Sequence, residues 1–333
     1  VLAASLNKPC KRSLCHTKSA TTHIILMTQL STNENTKEIT LFCFLAMALG
    51  WLITIPLWIS GNGLRTTGAS LLVILYMWSP ALTALGLFFV ARRNTTVRFS
   101  DYFEVRLGTK WLSHSVFHIF SWPVFAIATP FVASALGLFE LDLTFSGFEA
   151  MVRDQVSKLG DTVPDPFEAI SVKTLVTIQL AMSFTGALIN LPVVLGEELG
   201  WRAFLLPRLR HLGFWKANVL LCLIWSFWHT PLLLLGHNYP NTPVQGLLFM
   251  AGFCMVIGTL INWSSWQSRS VWPAALGHGA INGSAAAIVL FQAEGASFDP
   301  RWAGMTGLSG WILPILLIAF LWVRGHFNTI KTD

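Results

Sequence analysis

Eight apolar runs, at residues 40–60, 69–91, 113–138, 172–196, 215–235, 243–263, 271–292 and 308–324, limit what this chain can fold into. Each is close to the roughly 20 residues that carry a helix across hydrocarbon. Backbone in lipid must satisfy its own hydrogen bonds, so segments of this length become helices. The chain is 53% hydrophobic and 11% charged, where ordinary soluble domains carry about 25% charged residues. The expected fold class is therefore all-α, a polytopic membrane helical bundle of about eight transmembrane helices.

The charges that remain are sorted by side. The connections after the second, fourth and sixth runs carry Arg92, Arg93, Arg98, Arg106 and Lys110, then Arg202, Arg208, Arg210 and Lys216, then Arg269. Eight crossings put these on one face, together with Arg324 and Lys331 of the tail. The positive-inside rule makes that face cytoplasmic and places both termini there. The longest opposite connection, residues 139–171, has the reverse sign, with Glu140, Asp142, Glu149, Asp154, Asp161, Asp165 and Glu168 against Arg153 and Lys158. Pro164 and Pro166 interrupt any long helix there, and the segment reads as a solvated connection or an outer cap. Val97 to Leu112, which mixes aromatics with Arg and Lys, reads as a surface-lying segment or an ordinary basic loop.

The formal charge of +6 is accounted for by these membrane-flanking arginines and lysines, so no nucleic-acid partner is expected. The five cysteines show neither CxxC nor zinc-ribbon spacing, which indicates neither a disulfide framework nor a cysteine metal site. Residues 1–39 form a polar N-terminal segment, within which 1–26 precede the first methionine, Met27, and are set aside as an expected artefact. They contain no apolar core of secretory-signal length, and the first membrane helix is expected to act as the insertion signal. With no internal repeat visible, residues 40–330 read as one membrane domain. An integral protein of the bacterial inner membrane is the expected setting.

Three polar clusters interrupt the apolar pattern of the second half. The first is Glu197-Glu198-Leu199-Gly200-Trp201-Arg202. Charge in or near hydrocarbon costs several kcal/mol, so such residues face protein interior or a water-filled cavity. On a helix Glu198 and Arg202 are i,i+4 partners and neutralise one another. Glu197 points about 100° away around the helix and is the carboxylate left for chemistry. The second is Trp225-Ser226-Phe227-Trp228-His229, and the third His278-Gly279-Ala280-Ile281-Asn282, whose i,i+4 spacing aims an imidazole and an amide at one helix face. Alone, the second reads as packing and the third as interhelical glue. Together, intramembrane Glu, two His and Asn are most cheaply satisfied in one shared cavity.

These three motifs, in this order, resemble the CPBP family of CAAX proteases and bacteriocin-processing (Abi) enzymes, which includes the type II CAAX prenyl endopeptidases. The matching core covers about residues 170–292, and Trp225 stands where phenylalanine is commoner. The resemblance implies intramembrane proteolysis of a glutamic type. In that reading Glu197, aided by His229, activates a water against the scissile carbonyl, and His278 and Asn282 donate to the oxyanion. The implied substrate is a membrane-anchored protein or peptide, prenylated or not, met at the lipid bilayer, and Glu198, Arg202 and Trp225 shape the site or hold that substrate. Physical chemistry supports the assignment, because an amide and an imidazole N–H form a competent oxyanion hole and a positioned carboxylate is a competent general base.

Other readings of the same residues are a zinc-dependent version of this protease, since Glu and His are zinc ligands, and a non-catalytic bacteriocin-immunity or scaffold protein. No HExxH occurs and the glutamic reading employs every ligand candidate, so no cofactor is expected. One feature does not fit a simple bundle. Counted from Trp215, His229 lies about 20 Å along its helix, whereas Glu197 and His278 sit nearer the cytoplasmic ends of theirs. Either the fifth helix tilts or starts late, or the helix of Glu197 continues as a broken or re-entrant segment.

Overall fold

The computed structural model describes residues 13–94, 96–159 and 164–327. The expectations for residues 1–12, Asp161 and Lys331 therefore lie outside the described residues. The chain is an integral membrane helical bundle. Among the described residues six helices are long and apolar enough to cross a membrane, Asn35–Ile59, Ala69–Arg93, Trp111–Ala135, Val172–Ile189, Pro243–Ser268 and Trp272–Phe291, and Phe214–Trp228 and Leu308–Val323 are shorter apolar ones. These eight coincide with the eight apolar runs. Large side chains such as Phe44, Phe120, Leu248 and Val323 stay exposed on the outside of the bundle, which is the surface a lipid environment covers.

In chain order, α1 (Ser13–Ile59) and α2 (Ala69–Asn94) pair, and a short α3 (Phe99–Tyr102) leads to α4 (Trp111–Ala135). Then come α5 (Ser146–Ser157), α6 (Val172–Ile189) and α7 (Leu191–Glu198), a π-helical stretch Leu199–Leu205, and a last turn α8 (Leu206–Arg208). The return path is α9 (Phe214–Trp228) and α10 (Thr230–Leu234), followed by α11 (Pro243–Ser268), α12 (Trp272–Ser284) with a 3-10 extension Ala285–Phe291, and α13 (Leu308–Val323). Among the described residues the only β feature is an isolated antiparallel bridge, Leu141 with Gln292.

Up-and-down threading gives the bundle two unlike ends. One gathers Arg92 and Arg93 at the close of α2, Arg269 at the close of α11, and Arg208 and Arg210 after α7. Two of these are held in place by pairing, Arg208 with Glu38 at 2.8 Å and Arg210 with Glu104. The opposite end carries the connections 60–68, 136–171, 235–242 and 292–307.

Two loops carry more structure than a plain connection. Residues 97–112 keep Arg98, Arg106, Leu107 and Leu112 exposed at the surface and are anchored in the bundle at Tyr102, Phe103 and Glu104. Phe103 is 1% exposed and packs on Phe88 and Phe204, and Glu104 donates its N–H to the Ala203 carbonyl (3.0 Å) while its carbonyl accepts from Val271 N–H (2.9 Å). Burying two aromatic rings and satisfying both backbone groups favours tucking the segment into the bundle. The acidic connection is likewise more than solvated chain. Asp142 accepts the N–H groups of Thr144 and Ser146 at 2.7 Å each and so starts α5. Phe148 of α5 then joins Phe139, Val176, Ile288 and Phe291 in a small apolar cluster. The Thr144 hydroxyl (2.6 Å) and the Ser146 hydroxyl (2.9 Å) also donate to Asp142, and these bonds with the two N–H groups favour the ionised carboxylate and hold its pKa down at about 2.

Candidate active site

Two glycine pairs bring the polar helices together. Gly196 and Gly200 flank the twin glutamates four residues apart, and a Cβ at either would fall within 2.7 Å of α2 at Met77, Trp78 or Pro80. On α12, Gly279 and Gly283 meet Ala187 and Gly186 of α6, where a Cβ would come within 2.5 Å of backbone. Close backbone approach over small-x-x-x-small stripes is how helices associate when lipid removes the hydrophobic drive. These stripes were not part of the sequence reading, although the spacing is plain in Gly196-Glu-Glu-Leu-Gly200 and Gly279-Ala-Ile-Asn-Gly283.

The depth mismatch is resolved by a break in the fourth span. α6 stops at Asn190, whose side chain caps the Gly186 carbonyl at 2.9 Å, and Pro192 restarts the chain as α7. From Glu197 the helix runs on through the π-turn to Arg208, about 16 Å at 1.5 Å per residue. α9 returns from Phe214 to Trp225 over the same number of residues. Glu197 and Trp225 therefore arrive at one level, and Trp225 Nε1 donates to Glu197 Oε2 at 2.7 Å. A π-turn of this kind inside an α-helix recurs at functional sites.

Adjacent carboxylates have opposite surroundings. Glu198 is 0% exposed, and its Oε1 accepts from Arg202 Nη1 at 2.9 Å and from His278 Nδ1 at 2.8 Å. Arg202, also 0% exposed, extends this into a buried polar network. Its Nε donates to Asn262 Oδ1 (3.0 Å), whose Nδ2 donates to Asn218 Oδ1 (2.8 Å), and its guanidinium stacks 4.2 Å over Trp225. The expected Glu198–Arg202 pair is present, and both side chains are fully buried behind the cavity.

Glu197, by contrast, forms the wall of a cavity of about 270 Å3, together with Trp225, His229, His278 and Asn282. Its Oε1 accepts no hydrogen bond among the described residues. His229, at the junction of α9 and α10, donates Nδ1–H to the Trp225 carbonyl at 2.7 Å. That leaves Nε2 for the cavity, since a carbonyl can only accept. His278 is fixed the same way through Nδ1 to Glu198, which also leaves its Nε2. Asn282, one turn further along α12, is exposed at the cavity edge.

The structure thus places all four candidate catalytic side chains on one cavity and Glu198 and Arg202 behind it. Trp225 bridges the two layers. The sequence reading missed Tyr76, which lines the cavity, stacks on Trp228 at 4.0 Å between centroids and donates to the Trp228 carbonyl. A tyrosine inside an apolar span, one of three in the chain, was the available signal. Also missed were His237, Asn238 and Thr306, which line the cavity from two connections. Among the described residues no three His, Cys, Asp or Glu side chains are grouped to hold a metal ion.

Residues 179–284, which hold every one of the four, match the family described as Type II CAAX prenyl endopeptidase Rce1-like. A 93-residue stretch is 32% identical to the CAAX prenyl protease 2 of Methanococcus maripaludis, covering 26% of this chain and 34% of that protein. The chain therefore matches about a third of the length of this curated relative. The matched region is CAAX-protease-like in sequence.

Proposed function

We propose that this CAAX-protease-like core is an intramembrane endopeptidase in which Glu197 and His229 activate a water to hydrolyse a peptide bond of a membrane-associated or lipidated polypeptide. The observation that carries the reading is the contrast at Glu197. It is a 2%-exposed carboxylate with one oxygen held by Trp225 and the other turned over to a cavity shared with two imidazoles and an amide. A structural ion pair has no need of such an arrangement.

Glu197 Oε1 takes a proton from the water as its oxygen bonds to the scissile carbonyl carbon, and His229 Nε2 holds that water in line. The carbonyl oxygen becomes an oxyanion. Asn282 Nδ2–H and His278 Nε2–H stabilise it, the latter with the imidazole carrying both protons and its Nδ1–H held on Glu198. When the C–N bond breaks, the proton on Glu197 passes to the leaving amine, and the carboxylate is restored. Glu198 is then a positioning residue for His278, and Arg202 neutralises it. No step uses a metal, and cleavage is expected to persist after exhaustive chelation of the purified protein; activity lost on chelation and regained with zinc would replace this mechanism by a metal-dependent one. We place the arginine-rich end at the cytoplasm by the positive-inside rule.

The test compares membranes of the cells that make this protein, containing wild type or Glu197→Gln at matched abundance, by mass spectrometry of labelled N- and C-terminal peptides. New termini that vanish with Glu197→Gln are expected, and they name the substrate. Identical sets of termini would overturn catalysis in favour of a scaffold or immunity role.

A further inference from the structure

The cavity is closed toward one end of the bundle and lined by loops at the other. Toward the arginine-rich end lie Trp201, Arg202, Asn218 and Asn262, all at most 1% exposed, the last three bonded into the network described above. In the other direction its lining continues to His237 and Asn238, in the connection between α10 and α11, and to Thr306, in the connection before α13. The two connections are tied together by Tyr239 Oη–H donating to the Thr306 carbonyl at 2.8 Å. The depth agrees: α7 crosses α2 at Met77 and Trp78, about 12 Å from the start of α2 at Ala69 and about 25 Å from its arginine-bearing end at 1.5 Å per residue.

The lining also constrains what fits. Leu232, Met250, Phe253 and Ile257 supply apolar wall, and no Lys, Arg or Asp lines the cavity. A substrate's C-terminal carboxylate buried here would need a cation, and the cavity offers only imidazoles. Nε2 of His229 and of His278 are committed to the water and the oxyanion in the proposed mechanism, and burial lowers the pKa of His237, which favours its neutral form.

From the position of the mouth and this lining we infer that the substrate segment enters from the face opposite the arginine-rich loops, and that it is an uncharged, apolar stretch of a membrane-anchored polypeptide cut at an internal bond. The inference rests on the proteolytic reading above and narrows it. With the arginine-rich end at the cytoplasm, the scissile segment is presented on the extracytoplasmic half of the bilayer, so a cytoplasmic prenylated C-terminus is not the substrate.

The experiment separates the two claims. Single cysteines are introduced as Asn238→Cys at the mouth and Arg93→Cys at the basic end, with Cys10 and Cys15 replaced by serine. Sealed vesicles of known sidedness are treated from one face with a bulky, membrane-impermeant maleimide, and the Glu197-dependent termini are read before and after. The expected result is that the two cysteines react from opposite faces and that labelling Asn238→Cys lowers the Glu197-dependent termini at least tenfold relative to the same unlabelled protein. Thr306→Cys repeats the reading, since the Tyr239 bond there is to backbone. Reaction of both cysteines from the same face, or full cleavage after complete labelling at the mouth, would overturn the route and leave proteolysis standing. Absence of any Glu197-dependent terminus before labelling would instead overturn the proteolytic reading, and this inference with it.

Discussion

Glu197 and Glu198 are chemically identical neighbours on one helix, and the bundle treats them as opposites. Below the cavity, Glu198 belongs to a sealed network in which it accepts from Arg202 and His278, and Arg202 in turn donates to Asn262. On the cavity wall, Glu197 keeps an oxygen that no protein group claims. The difference is one of partner and access. Glu198 Oε1 is tied to a guanidinium and an imidazole, and its Oε2, without a partner among the described residues, is sealed from the cavity. The unpartnered oxygen of Glu197 belongs to a side chain that lines the cavity, where a water or transition state can take up the interaction. Residue type and burial alone would have ranked the two carboxylates together.

Substitutions that remove charge from each layer should therefore fail differently. Glu197→Gln or His229→Ala is expected to reduce cleavage by at least about 1,000-fold, within the range expected of a lost general base or its partner, while the thermal unfolding midpoint in detergent stays close to wild type. An unfolding midpoint that falls along with activity would move Glu197 into the structural layer and break the comparison. Arg202→Ala is expected to do the reverse. It leaves the Glu198 carboxylate buried with His278 as its only remaining partner and should cost about 3–5 kcal/mol of stability, seen as poor recovery of folded protein. Wild-type unfolding of Arg202→Ala would show that the network is not holding the helices together. Asn282→Ala, at the exposed cavity edge, should lower kcat by about 100- to 1,000-fold as the loss of one oxyanion donor with no change in unfolding. Unchanged kcat would remove Asn282 from the chemistry.

Most of the bundle was legible in the sequence because bilayer thickness fixes helix length, so an apolar run declares its span without reference to any partner. The four cavity residues were legible for a related reason: in a chain this apolar, each polar group inside a span must find company. What could not be read were pairings over long sequence distance. His278 and Glu198 are 80 residues apart and Arg202 and Asn262 are 60 apart, and neither pairing leaves a local pattern. The break at Asn190 was hidden for a different reason. Pro192 is tolerated in the first turn of a new helix as readily as it marks an end, and the apolar run continues unbroken across it. In residues 97–112 the arginines marked a surface, and Arg98 and Arg106 are exposed, but the anchoring of Phe103 on Phe88 and Phe204 is another pairing that leaves no local pattern.

Trp225 offers the finest test, since it belongs to both layers. Its Nε1–H holds Glu197 Oε2 at 2.7 Å, and its ring face lies 4.2 Å from the Arg202 guanidinium carbon. Trp225→Phe removes the donor and keeps an aromatic face, so the cation–π contact and the bulk of the packing survive. A hydrogen bond to a charged group contributes about 1.5–3 kcal/mol, but water entering the cavity can replace part of it. We therefore expect kcat to fall about tenfold, with KM and the unfolding midpoint within experimental error of wild type. The split matters more than the size. If kcat is unchanged and stability falls, the ring serves the sealed layer alone and Glu197 is oriented by its helix. If kcat falls as far as in Glu197→Gln, the single Trp225 bond sets the position of the base, and the border between the two layers runs through the indole.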